Sequence, residues 1–97
     1  MSRYLLSPAA RADLGDIFDH TAQQWGIEQA ETHMRGLQHA IERAAADPRI
    51  GHRCEEIRPG DRRLAAGSHI LYYRLTDAAA VDVVRILHQR MDVDRHL

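Results

Sequence analysis

The stretch that most constrains the fold is Ser68 to Asp92, SHILYYRLTDAAAVDVVRILHQRMD, in a sequence of 97 residues. Ile70-Leu71-Tyr72-Tyr73 is β-branched, apolar or aromatic, the composition that suits a pleated, half-buried surface. Thr76-Asp77 supplies turn chemistry, and Val81 to Leu87 holds three valines and an isoleucine. The pattern predicts two strands, His69 to Leu75 and Val81 to His88, and no other part of the chain has comparable strand character. The rest must cover at least one face of this hairpin.

Read with strict alternation, the last strand presents Val81, Val83, Arg85 and Leu87 on one face and Asp82, Val84, Ile86 and His88 on the other. Both faces are substantially apolar. Helices can cover only one, so the pattern predicts a second, bare apolar face carrying Arg and His, of the kind that marks a partner site. A central strand covered by the tail or by a second copy would account for the same pattern.

The helical material lies upstream. Arg3 to Leu6 reads as a short edge strand. Ser7-Pro8 then combines a good N-cap with proline at the first helical position. Leu14, Ile17, Phe18, Thr21 and Trp25 form one stripe, with Asp13, Asp16 and Asp19 assigned to the wet side. Gly26 is a natural stop. A second helix follows at once, with a narrow seam of Ala30, Met34, Leu37, Ile41 and Ala44, until Asp47-Pro48 ends it. Cys54 to Ile57 reads as a short extended piece, Arg62 to Ala66 as a strand, and Gly67-Ser68 as a hairpin turn. The predicted fold is α+β, one domain over residues 1–97 in the order β-α-α-β-β-β, an antiparallel sheet with a helical hairpin packed on one face.

Composition narrows the function classes. There is no apolar run long enough to span a membrane and no signal-peptide h-region, and the single cysteine cannot form an internal disulfide, which together predict a cytoplasmic protein. Formal net charge is −1, so bulk electrostatics predicts no direct nucleic-acid binding. All 13 basic residues are arginine, which removes any mechanism that needs a lysine. Neither His33 with His39, six apart, nor His52-x-Cys54 without a second pair makes a metal motif, so neither a metal nor a cofactor is expected. Glu55-Glu56 reads as a solvated turn, and Trp25 as a core or hairpin-junction residue. Tyr72 and Tyr73 point to opposite faces, so one is core and the other a candidate contact. For Arg85 two readings stand side by side: a structural pair with Asp82, Asp92 or a helix acid, and a salt bridge to an acidic partner segment.

Several of these segments together resemble a known family. Tyr4-Leu5-Leu6-Ser7-Pro8-Ala9-Ala10 with Asp13-Leu14 and Ile17 looks like its opening. Trp25-Gly26 with Gln29-Ala30 looks like its helix–helix junction, and Asp47-Pro48 with Gly51 like the end of its second helix. His69, Tyr72-Tyr73-Arg74 and Arg85 to Asp92 look like its closing strands. The family is that of the ParE toxins, in the ParE/RelE superfamily of bacterial type II toxin–antitoxin modules.

The resemblance implies a toxin that inhibits DNA gyrase by binding, blocks replication, and has no catalytic chemistry of its own. It implies a ParD-like antitoxin partner in a hetero-oligomer of 2:2 or higher. On that reading the candidate antitoxin contacts are Tyr72, Tyr73, Arg74, Arg85 and Leu87, and the candidate target contacts are His88, Arg90, Met91, Asp92 and Arg95. Charge reversal at Arg85 is then expected to cut toxicity and spare the fold. The alternative is a RelE-type, ribosome-dependent mRNA endonuclease. Such an enzyme typically uses lysines, arginines and a C-terminal tyrosine, whereas this chain has no lysine and no tyrosine after Tyr73.

Overall fold

The computed structural model describes residues 4–54, 59–76 and 80–90. The elements run β1 (Tyr4–Leu6), α1 (Pro8–Trp25), α2 (Ile27–Ala46), a 3-10 turn (Pro48–Ile50), β2 (His52–Arg53), β3 (Asp61–Ala66), β4 (His69–Leu75) and β5 (Val81–His88). Together the strands form one five-stranded mixed sheet in the order β1-β5-β4-β3-β2. The expected α+β architecture and element order are therefore observed. Two strand features correct the expected antiparallel, four-stranded sheet. The edge strand β1 pairs parallel with β5, and a two-residue β2 extends the sheet past β3. The short strand is His52–Arg53, upstream of the extended piece expected at Cys54 to Ile57; Cys54 is not in a strand, and residues 55–57 lie outside the described set.

Local signals set the element ends. Ser7 Oγ accepts from the Ala10 amide at 3.0 Å and Pro8 opens α1, as a capped helix start requires. Gly26 adopts φ 94°, a conformation costly for any residue with a Cβ, and lets α2 begin without an intervening loop. Asp47 closes α2, and its side chain caps the 3-10 turn at the Arg49 amide. Thr76 and Ala80 close the β4–β5 connection, with the Thr76 amide donating to Ala80 O at 2.8 Å.

The core lies between the helical hairpin and one sheet face. Leu37, Ala40, Ile41 and Ala44 of α2 pack with Ala10 of α1 against Leu71, Tyr73, Val81, Val83 and Ile86. The α2 seam is as expected, and its alanines let helix and sheet approach closely. Tyr73 is the largest fully buried side chain. Its hydroxyl donates to Pro48 O at 2.7 Å and accepts from the Gly51 amide at 2.9 Å. A Cβ at position 51 would run into that hydroxyl and into the Arg63 carbonyl, so only glycine fits there.

The strict alternation expected for the last strand does not hold. Tyr72 pairs with Arg85 but Tyr73 pairs with Val83, which leaves Val84 as the extra residue of a β-bulge. The bulge shifts the pattern by one, so Val81, Val83 and Ile86 all reach the helix-side core. An apparently two-faced apolar strand is thus mostly one apolar face with a slip in the middle. On the opposite face, Tyr72, Leu87 and Cys54 form a smaller cluster with Ile70. Tyr72 is 5% exposed and Leu87 3%, so the face expected to be bare is closed at these positions.

Candidate functional site

The candidate site spans both ends of the seam between α1 and β5. Beside β1 the seam is tied by side chains of α1 and its cap. β1 accompanies β5 only as far as Val83, and beyond that point the strand's edge needs other partners. Ser7 supplies two of them: its amide donates to Val83 O at 3.0 Å and its hydroxyl to Val84 O, the bulge carbonyl, at 2.6 Å. Asp13 supplies the next, accepting from the Ile86 amide at 2.9 Å. The same carboxylate takes a bidentate grip on Arg85, with Nε 2.8 Å from Oδ2 and one terminal nitrogen 2.9 Å from Oδ1. This hydrogen bond raises the Arg85 pKa above its usual value against the opposing effect of burial.

Of the two readings of Arg85, the structure thus shows the pair with a helix acid. The assignment of Asp13 to the wet side is corrected: only 12% of its side chain is accessible. Its position was legible in one respect, because it lies three residues after Ala10 and four before Ile17, on the buried stripe. Charge reversal at Arg85 would set two carboxylates against each other in this corner. The expectation that it spares the fold is therefore withdrawn.

The remaining candidates separate by environment. Tyr73 has no exposed surface and both of its hydroxyl bonds are internal, so it is removed from the set of surface contacts. Burial raises its pKa, and that of Tyr72, above the usual tyrosine value. Arg74 is half-exposed and lies across from buried Asp61, with Nε 3.2 Å from Oδ1. Leu87 is buried beside Tyr72. His88 closes β5, and its Nδ1 accepts from the amide of exposed Arg90 at 3.1 Å. Met91, Asp92 and Arg95 lie outside the described residues.

At the far end of the seam α1 stands away from the sheet. An open groove of about 720 Å³ lies between the hairpin tip and the ends of β4 and β5, walled by Ile17, His20, Trp25, His33, His69 and His88. Trp25 marks the hairpin junction, as expected, but it is 72% exposed and is not a core residue. It is the last residue of α1, where the helix has run past the strands that bury Leu14 and Ile17. The convergence of histidines in this groove had no sequence signal, because they come from four different elements.

Two solved structures share the architecture. A chain of the chromosomal ParDE toxin–antitoxin system from P. aeruginosa superposes with a TM-score of 0.77 at 21% identity, covering 91% of this chain and 96% of that one. One from the RelBE2 toxin–antitoxin complex of Mycobacterium tuberculosis gives 0.63 at 19% identity, with coverage of 91% and 98%. The class is therefore that of the small α+β folds found in toxin–antitoxin systems. Sequence narrows it further. The family described as "ParE toxin of type II toxin-antitoxin system, parDE" matches residues 4–93, and the chain belongs to that family. It is 66% identical over 96 residues to toxin ParE1 of M. tuberculosis H37Rv, covering 99% of this chain and 98% of that protein. Toxin ParE1 of Caulobacter vibrioides is 44% identical over 97 residues, with coverage of 100% and 99%.

Proposed function

We propose that this toxin inhibits DNA gyrase by binding it, without turnover, and is held inactive by a ParD-like antitoxin. The observation that carries the reading is the ParE family match over residues 4–93. The side chains offer further support. A nuclease of the RelE type would need cations aimed at a phosphate, yet Arg85 is spent on Asp13, Arg74 faces Asp61, and Arg62 donates to Gly51 O at 2.9 Å. The protein acts in the cytoplasm, where gyrase and its DNA lie; no helix among the described residues is long and apolar enough to cross a membrane.

The antitoxin contact falls on Arg74 and Arg85, the accessible side chains flanking the closed cluster of Tyr72 and Leu87, in a hetero-oligomer of 2:2 or higher. Target contact falls on the end of β5 and the segment after it, through His88, Arg90, Met91, Asp92 and Arg95. A supercoiling assay with purified gyrase, run beside a ribosome-dependent mRNA cleavage assay, tests this. Loss of supercoiling with intact mRNA is expected, and removal of residues 89–97 should abolish it. Untouched gyrase together with cut mRNA would overturn the proposal.

A further inference from the structure

Four of the seven histidines, His20, His33, His69 and His88, line one groove at the hairpin tip. His33 Nε2 lies 3.1 Å from His69 Nδ1, so one of these rings must donate and the other accept. The His69 ring meets His88 edge to face, with 5.4 Å between centroids. Ser68 Oγ stands 3.5 Å from His69 Nδ1. From the helices, Asp16, His20 and Gln29 face the same space; from the end of β5 come His88 and the Arg90 amide bound to it. Among the described residues, no three His, Cys, Asp or Glu side chains stand in a metal-holding arrangement. The ligand these rings share is the proton.

We propose that the His33–His69 contact is a proton-operated latch that holds the β3–β4 turn and the end of β5 against α2, and opens as the imidazoles of the groove become charged. A proton on both rings leaves no acceptor between them and sets two positive charges at hydrogen-bond distance. Any charge on the His20 or His88 ring falls in the same space. Asp16, the one carboxylate lining the groove among the described residues, can offset a single imidazolium but not several. Burial, and then the neighbouring histidines, lowers His69 to about 4, which makes it a ring that resists the proton while the cluster stays closed. The backbone shows what the latch secures: the Gln89 amide donates to Ser68 O at 2.9 Å, tying the end of β5 to the turn before β4. Opening releases this tie, and with it the root of the segment that continues from Arg90. The inference does not depend on which target the toxin has.

Hydrogen exchange of the free protein, corrected for the intrinsic pH effect, tests the latch. Between about pH 7.5 and about pH 5 the Gln89 amide should lose about fivefold in protection, while central β4 amides such as Leu71 hold theirs. His33→Gln keeps a good helix former on α2 and gives His69 an uncharged partner, so its loss over the same range should be clearly smaller than that of the wild type, with only the part due to burial of His69 remaining. His69→Gln should bring the loss under about twofold. A wild-type Gln89 amide that stays protected at low pH would overturn the latch. So would a response in both variants as steep as that of the wild type.

Discussion

The two ends of the α1–β5 seam are built from the same helix and the same strand, yet they are held by opposite kinds of chemistry. Beside β1, a carboxylate meets a guanidinium and a backbone amide, and a serine meets the bulge carbonyl. Each polar group there meets a complement of a different kind, anion to cation or donor to acceptor. At the hairpin tip, imidazole meets imidazole, and the bond lasts only while at least one ring is neutral. Permanent complementarity fixes one end of the seam, whereas self-complementarity leaves the other conditional.

Breaking the fixed end should have the largest effect. Asp13→Ala removes the bidentate partner of a part-buried guanidinium and the acceptor of the Ile86 amide, and should cost about 3 kcal/mol in chemical denaturation. Asp13→Leu combined with Arg85→Met should cost clearly less than the sum of the two single changes, because no charge is left unpaired. Next comes Ser7→Ala, which removes a helix cap and the donor to the bulge in one step; about 2 kcal/mol of lost stability is expected from urea melts.

The conditional end should answer to pH instead. The folded pKa of His69, about 4, lies below its unfolded value of 6.5, so the unfolded chain takes the proton first. The stabilisation from keeping this ring neutral is complete above about pH 6.5 and is lost as pH falls toward about 4. His69 is partly open to solvent, so the loss should be about 1 kcal/mol, and His69→Gln should remove that part of the slope. Trp25→Ala should matter least to stability, within about 0.5 kcal/mol, because the ring is largely exposed. A larger thermal shift in that variant would mean the groove is held more firmly than its open wall suggests.

This contrast also explains what could be read from the sequence. The fixed features that are local in the chain were legible: Ser7-Pro8, Gly26, Asp47-Pro48 and Gly67-Ser68 each carry their own chemistry and end the elements where expected. The bulge at Val84 was not, because a period-two reading assumes a regular strand, and the slip shows only in the pairing with Tyr72 and Tyr73. Asp13 was assigned to solvent for a related reason. Its partner lies 72 residues away, and nothing near it in the chain marks the strand edge it completes. The histidine groove was hidden most completely, since His20, His33, His69 and His88 share no spacing and meet only once the sheet has closed.

The parallel pairing of β1 with β5 has a consequence in time as well as in space. It sets Tyr4 against Val81, so β1 is made well before the strand it joins. On the ribosome the helical hairpin, whose contacts are close in sequence, can form early, while β1 has no strand to join until β5 emerges. The serine and aspartate of α1 wait with it, because their acceptor and donors also lie on β5. A chain cut short before Val81 would hold the whole helical hairpin and four of the five described strands, yet lack the strand to which β1, Ser7 and Asp13 all bond.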